Sequence, residues 1–134
     1  MFKKILIALF LVLSISFLTI SLWPKKLSGN FEDVSNEQSN QACKYVDELL
    51  NKVAKRRQRD FINSRGSLSI QNMKLCYTVL SNYKSASADE KSVQTVKNSD
   101  RYQLNIVGEN NKKILCYLKY DQSNQKWLFD GLNI

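Results

Sequence analysis

Three cysteines, Cys43, Cys76 and Cys116, are the side chains with the most reactive chemistry in this 134-residue chain. The sequence contains no histidine, and histidine is the usual general base, a common metal ligand and the usual partner that activates a thiol nucleophile. A metal site built from cysteine alone needs closer spacing than these residues have. We therefore predict no catalytic residue, no metal site and no bound cofactor.

Two structural roles remain for the cysteines. Thiols outside the cytoplasm tend to pair. The pairing we prefer joins Cys76 to Cys116, because both are predicted to face a core beneath one sheet. Such a disulfide would stabilise the fold by roughly 3–4 kcal/mol if it were unstrained. In the alternative, all three cysteines stay reduced and are buried as small apolar groups.

A basic cluster is the sharpest surface feature of the sequence. Lys52, Lys55, Arg56 and Arg59 recur at spacings of 3, 1 and 3 and therefore share one stripe near the end of a predicted helix. In one interpretation, these charges only complement the helix dipole on a solvated face. In the other, they form a docking patch for an anionic lipid or an acidic partner. Nucleic acid is disfavoured because no aromatic residues interleave with the cluster.

Two aspartates, Asp121 and Asp130, raise the question of a carboxylate pair. Asp121 falls in a predicted turn and Asp130 near the end of a predicted strand. Nothing in their spacing brings them together. Because aspartate is a favoured turn residue, a structural role accounts better for Asp121.

An uninterrupted apolar run from Ile5 to Trp23 decides where these side chains are placed in the cell. At about 1.5 Å per helical residue it spans roughly 28 Å, close to the thickness of a bilayer's hydrocarbon core. We predict an uncleaved single-span anchor over residues 1–26, with the N-terminus in the cytoplasm. Trp23 and the two lysines after Pro24 fit the membrane interface. The alternative is a removed signal peptide, although the run is longer than the usual apolar core of one.

The residues after the anchor begin with a polar stretch, 27–35, that is typical of a short linker. A capping box starting at Ser35 opens a helix that we expect to continue to about Arg59. Gly66 marks a turn. Helical spacing of apolar residues then predicts a second helix to about Lys84. Alternate residues of that segment also fit a strand, but its length and a serine cap favour a helix.

In the last third of the chain, the spacing of apolar residues changes from the helical period to a period of two residues. Modest or strong strands are predicted over residues 92–97, 102–106, 114–120 and 127–132, with turns between them. The sequence therefore predicts one α+β domain over residues 36–134, with two helices packed on an antiparallel sheet of three to four strands.

The final strand also carries a short motif. A helical first half followed by a strand meander that ends in KWLFDGL resembles small bacterial domains of the nuclear-transport-factor-2-like, cystatin-like class. Members often end in a strand that reads gly-lys-trp-x-ile-asp-gly. The matching residues are Lys126, Trp127, Asp130 and Gly131, whereas Phe129 stands for the isoleucine and Gln125 replaces the glycine.

This resemblance covers residues 36–134 and implies a cystatin-like fold. Enzymes of the class usually hold an Asp or His in a cone-shaped cavity, and we can assign no such residue here. Many anchored or secreted members are non-enzymatic binding or assembly modules, including extracytoplasmic domains of secretion and conjugation machinery.

The net charge of the domain and its predicted membrane anchor indicate the kind of partner it binds and where in the cell it lies. Residues 27–134 carry sixteen basic and twelve acidic side chains, a net charge of +4, which suits an anionic surface or partner.

We expect a single-pass protein of a bacterial inner membrane. Its domain would be a non-enzymatic interaction module in the periplasm or cell exterior, binding a protein partner in an envelope complex. The alternatives are a small-ligand or lipid-binding pocket in the mouth of the sheet, or an enzyme of the same fold.

Overall fold

The computed structural model describes residues 31–97 and 99–133, so the expected anchor lies outside the described residues. The described chain places three α-helices against one six-stranded antiparallel sheet. The helices are α1 (Asn36–Ala54), α2 (Gln58–Ile62) and α3 (Ile70–Ser81). The strands are β1 (Phe31–Asp33), β2 (Ser87–Ala88), β3 (Gln94–Val96), β4 (Arg101–Val107), β5 (Lys113–Asp121) and β6 (Lys126–Asn133). No helix within these two ranges is long and apolar enough to cross a membrane.

The sheet is built around a meander of β4, β5 and β6. The order across the sheet is β1-β3-β4-β5-β6, and β2 pairs with the same edge of β4 as β3 does. Leu104 of β4 lies opposite Cys116 of β5, which in turn lies opposite Leu132 of β6. All three are almost completely buried, so one face of the meander forms the floor of the core.

The predicted α+β class is confirmed, but the predicted counts of helices and strands are too low. The two additional strands are β1, inside the expected linker, and β2, between the predicted second helix and the strand predicted from residue 92. The additional helix, α2, has five residues. Elements of two to five residues are too short to establish a hydrophobic period, so pattern reasoning could not detect them.

The starts of the two long helices follow the sequence signals. The Ser35 side chain accepts a hydrogen bond from the Gln38 N–H at 3.3 Å, as the capping box predicts. The Ser69 side chain accepts one from the Asn72 N–H at 3.2 Å and caps α3. The helical interpretation of residues 70–81 is therefore confirmed over its strand alternative.

The end of α1 differs from the expectation, since the helix stops at Ala54 and does not reach Arg59. The Arg57 N–H donates to the Lys52 carbonyl at 2.8 Å, and the Arg56 N–H donates to the Val53 carbonyl at 3.1 Å. This pair of bonds is the Schellman motif, whose central residue adopts a left-handed conformation and is usually glycine. Arg56 occupies that position with φ = 59°. Because this helix end carries no glycine, no local sequence signal marks where α1 stops.

The core lies between the helices and the sheet and is closely filled. Phe61 of α2 packs against Phe129 of β6 with ring centroids 5.3 Å apart. Met73 of α3 is fully buried, as are both of these phenylalanines. Leu80, Leu104 and Leu118 are also at most 2% exposed. These side chains occupy the space beneath the curved sheet.

A bulge in β6 fastens the segment between α2 and α3 to the sheet. Tyr117 pairs with Gly131 but its neighbour Leu118 pairs with Phe129, so Asp130 is an extra residue in the strand. The Asp130 side chain, which is only 7% exposed, accepts hydrogen bonds from the Ser67 hydroxyl at 2.6 Å and the Ser67 N–H at 3.3 Å.

The same segment also pairs with the outer edge of β6. The Phe129 N–H donates to the Ser64 carbonyl at 3.0 Å, and the Gly66 N–H donates to the Phe129 carbonyl at 2.8 Å. A Cβ atom on Gly66 would lie 3.3 Å from both an Asp130 carboxylate oxygen and the Phe129 carbonyl oxygen. Close approach to β6 therefore explains the glycine at this turn.

Removing the Ser67 hydroxyl tests this attachment. We expect Ser67→Ala to lower the free energy of unfolding by about 1.5–3 kcal/mol, because a nearly buried carboxylate loses its shortest hydrogen bond. Urea unfolding of both proteins measures the difference. Ser123→Ala, in the exposed turn after β5, is the control and should change it by less than about 0.5 kcal/mol. Equal effects of the two substitutions would contradict this role of Ser67.

Candidate functional groove

A groove with a volume of about 1030 Å³ lies between α1, α3 and the chain that follows α3. Its lining residues come from two stretches, 47–58 and 77–86, which the fold brings side by side. They are Asp47, Leu50, Asn51, Val53, Ala54, Arg56, Gln58, Tyr77, Leu80, Ser81, Tyr83, Lys84, Ser85 and Ala86. We refer to this feature as the α1–α3 groove.

Two tyrosines line the α1–α3 groove, and each is held by a neighbour outside it. The ring of Tyr77 packs on Phe61, with centroids 5.7 Å apart. The ring of Tyr83 lies beneath the Lys112 ammonium, whose Nζ is 4.5 Å from the ring centroid. The rings are therefore positioned before any ligand arrives, which lowers the entropy lost on binding.

The charge of the lining is positive. Arg56 and Lys84 are its two cationic side chains and Asp47 is its one acidic side chain. The Asp47 carboxylate accepts a hydrogen bond from the Ala88 N–H at 2.9 Å and so fixes β2 to α1. Within residues 31–97 and 99–133, neither Arg56 nor Lys84 forms an ion pair. An anionic group entering the groove would meet two cations with no carboxylate paired to either.

Two lining residues adopt left-handed backbone conformations that are unfavourable for a side chain. They are Arg56, with φ = 59°, and Ser85, with φ = 51°. Each such residue costs of order 1 kcal/mol relative to glycine. Both lie in turns that follow a long helix, so the groove is bordered by the two helix ends.

The predicted basic stripe is not one stripe on one helix. Lys52 lies on α1, and its Nζ is 3.4 Å from the Ser64 hydroxyl. Lys55 caps α1, Arg56 sits in the turn and Arg59 lies on α2. The stripe is broken because the Schellman motif ends α1 before Arg59. Of the four residues, Arg56 lines the α1–α3 groove, and a docking role for the others stays a prediction.

All three cysteines are buried as thiols in the described structure. Burial raises the pKa of Cys43 from 9.0 to about 11, and the nearby Asp47 carboxylate adds to this rise. Burial also raises the pKa of Cys76 to about 11 and raises that of Cys116. Thiols held in the protonated form are poor nucleophiles.

Cys76 and Cys116 belong to the same buried core cluster as Leu132. Leu132 pairs with Cys116 across β5 and β6. The sequence-based expectation that both cysteines face the core beneath the sheet therefore agrees with their burial. The disulfide between them stays a prediction.

The two aspartates have separate partners. Asp121 accepts hydrogen bonds from the Asn124 side chain and from the Ser123 and Asn124 N–H groups, and these bonds, the Asn124 side chain first, lower the pKa of the Asp121 carboxyl. This arrangement confirms Asp121 as a turn former. Asp130, in the bulge of β6, instead accepts a hydrogen bond from the Ser67 hydroxyl.

Sequence reasoning missed the α1–α3 groove because its two stretches are separated by about twenty residues and share no motif. From the sequence alone, tyrosines such as Tyr77 and Tyr83 are more often aromatic residues of the sheet and core than of a ligand site. Lys84 was placed at the end of a helix that stops three residues earlier, at Ser81. The one local sequence signal of the groove is an aromatic residue followed directly by a lysine, at positions 83 and 84.

The chain has no significant match among protein-family models, curated proteins or solved structures. The resemblance to the nuclear-transport-factor-2-like class rests on the final strand and the order of elements. It stays a prediction.

The raised thiol pKa values predict a loss of stability in alkali. The unfolded chain begins to release thiol protons near pH 9, whereas folded Cys76 holds its proton to about 11. Its stabilising contribution is therefore complete below pH 9 and is lost as the pH rises through 11, by about 2–3 kcal/mol. Urea unfolding of the reduced protein across this range measures the loss.

Cys76→Ala should make the free energy of unfolding less dependent on pH over the same range, since it removes the titrating group. Leu80→Ala is the matched control, because it removes buried atoms of the same helix without removing a titrating group. An unchanged pH dependence in Cys76→Ala would contradict the assignment.

Proposed function

We propose that this protein is a membrane-anchored, non-enzymatic interaction module of a bacterial envelope, whose α+β domain binds a protein partner through the α1–α3 groove. The anchor is the apolar run of residues 5–23, and the domain faces the periplasm or cell exterior. In this role the protein is an accessory or assembly component of a larger complex.

The observation that carries the proposal is the filled space beneath the sheet. Enzymes and carriers of small molecules keep an enclosed, mostly apolar cavity for their ligand. Here that space is occupied by Phe61, Met73 and Phe129, each 0% exposed. A surface groove between helices α1 and α3 offers a concave feature instead, which suits a segment of another protein.

The state of the cysteines adds support for a non-enzymatic role. A cysteine nucleophile needs a lowered pKa or an adjacent base. The pKa values of all three thiols are raised, and the chain has no histidine to act as the base.

A small-ligand module is the second candidate, and the size of the groove favours it. Its volume of about 1030 Å³ is at the upper end of the roughly 300–1,000 Å³ typical of small-molecule pockets. An amphipathic anion would satisfy the same cations and tyrosines.

Anchoring is tested by alkaline carbonate extraction of bacterial membranes that contain the full chain. We expect the intact chain, with its first residues retained in the mass spectrum, to stay with the membrane pellet, because a spanning helix is not released by high pH. A variant that starts at residue 27 should be released. Recovery of a shortened chain in the supernatant would show that the segment is cleaved.

The binding role is tested with a photo-crosslinking amino acid placed in the full chain in its membrane. Ser81 in the groove is the test position, and Ser123 in the turn after β5 is the control. We expect one protein-sized adduct from position 81, absent from position 123 and lost on Arg56→Glu. An adduct of small-molecule mass would favour the second candidate, and no adduct at position 81 would contradict both.

A further inference from the structure

The identity of the lining residues narrows the chemistry of the partner. Arg56 and Lys84 are cations, and the one acidic lining residue, Asp47, is bonded to the Ala88 N–H. A partner that brings carboxylates gains charge-assisted hydrogen bonds to these cations, whereas a basic partner meets like charges. The charge pattern therefore selects an acidic partner.

Apolar surface between the charges adds a second requirement. Leu50, Val53 and Leu80 lie beneath the groove and are at most 7% exposed, so a ligand would reach almost none of their surface. Tyr77 and Tyr83 are half-buried, so their rings offer accessible apolar surface in the groove. A ligand made only of charged groups would leave the apolar surface in contact with water. An acidic segment that also carries an aliphatic or aromatic side chain covers it.

The backbone at Arg56 is left-handed, as it is at Ser85 in the groove and at Asn110, Asn111 and Gln125 elsewhere. The Schellman position that it occupies favours glycine, which adopts a left-handed conformation without steric cost. Ser85 has the same unfavourable conformation and lines the same groove. Arg56 is a candidate binding residue because its cationic side chain lines the groove and forms no ion pair among the described residues.

We infer that the α1–α3 groove binds a short acidic segment of a partner protein, with its carboxylates at Arg56 and Lys84 and an apolar side chain against the rings of Tyr77 and Tyr83. The inference rests on the proposed function and specifies the partner for that same site. A segment of this kind binds by filling the concave surface and pairing its charges, and its affinity falls as salt screens them.

Fluorescence anisotropy of labelled peptides tests the inference with the full chain in a zwitterionic detergent. The probe is a decapeptide of alternating glutamate and leucine. One comparison peptide replaces every glutamate with lysine, and the other replaces every leucine with serine. We expect the acidic leucine peptide to bind more tightly than either comparison peptide and to bind more weakly at high salt. Equal binding of all three, or no binding, overturns the inference.

Charge reversal locates the site. Arg56→Glu and Lys84→Glu should each weaken the affinity for the acidic leucine peptide by about 10-fold or more, as expected for the loss of a hydrogen bond between charged groups. Arg101→Glu makes the same change in net charge at the opposite end of the sheet and should alter the affinity less than about 3-fold. Equal loss in all three variants would indicate non-specific attraction and overturn the site.

Arg56→Gly separates binding from folding. Glycine relieves the left-handed backbone, so the midpoint of urea unfolding should rise, while the affinity for the peptide should fall as it does in Arg56→Glu. A rise in stability with unchanged affinity would mean that Arg56 is not a binding residue, and would overturn the inference.

Two further results separate a failure of the acidic-peptide inference from a failure of the proposed function. If vesicles of phosphatidylglycerol bind through Arg56 and displace the peptide, the groove recognises an anionic lipid surface and the peptide inference is overturned. If the crosslink from position 81 captures a protein but the acidic peptide does not bind, the inference fails while the proposed function stands.

Discussion

The attachment of residues 64–67 to the bulge of β6 is the constraint on which the rest of the domain depends. A bulge places the Asp130 carboxylate against Ser67, and the glycine at position 66 lets the two backbones approach. This contact fixes the chain between α2 and α3 and so sets where both helices rest on the sheet. A buried carboxylate that found no donor would cost more than the contact contributes, so the arrangement holds only when strand, turn and helix are all in place.

The filled core and the surface groove are two results of one packing arrangement. Helices α1 and α3 both direct their apolar faces at the sheet, and Phe61 of α2 completes the layer between them. The space that would hold a ligand in a hollow domain is therefore used for stability. What remains for recognition is the outer seam between α1 and α3, where helix ends supply charge and the tyrosines supply flat apolar surface. Recognition at such a seam needs no opening of the core.

The parts of the fold that could be predicted from the sequence are those with a long run of periodic apolar residues or a clear helix-capping residue. The serines before α1 and α3, the alternation in β4 and the apolar run in β5 predicted the positions of these elements within a few residues. The end of α1 could not be predicted, because Arg56 performs the task of a glycine. The α1–α3 groove escaped detection for a different reason. Its cations, at positions 56 and 84, line one groove only through tertiary packing, which no local pattern encodes.

The edge strand β1 has a mechanical consequence. It is the first described element of the chain, and it joins the sheet through three residue pairs with β3, Phe31 with Val96 to Asp33 with Gln94. Among the described residues, a pull on the chain from its N-terminal side therefore loads this short ladder first. Detachment of the ladder would leave the Ser35 cap of α1 in place. It would lengthen the reach of the domain under tension and leave intact the α1–α3 groove, which contains no residue of β1.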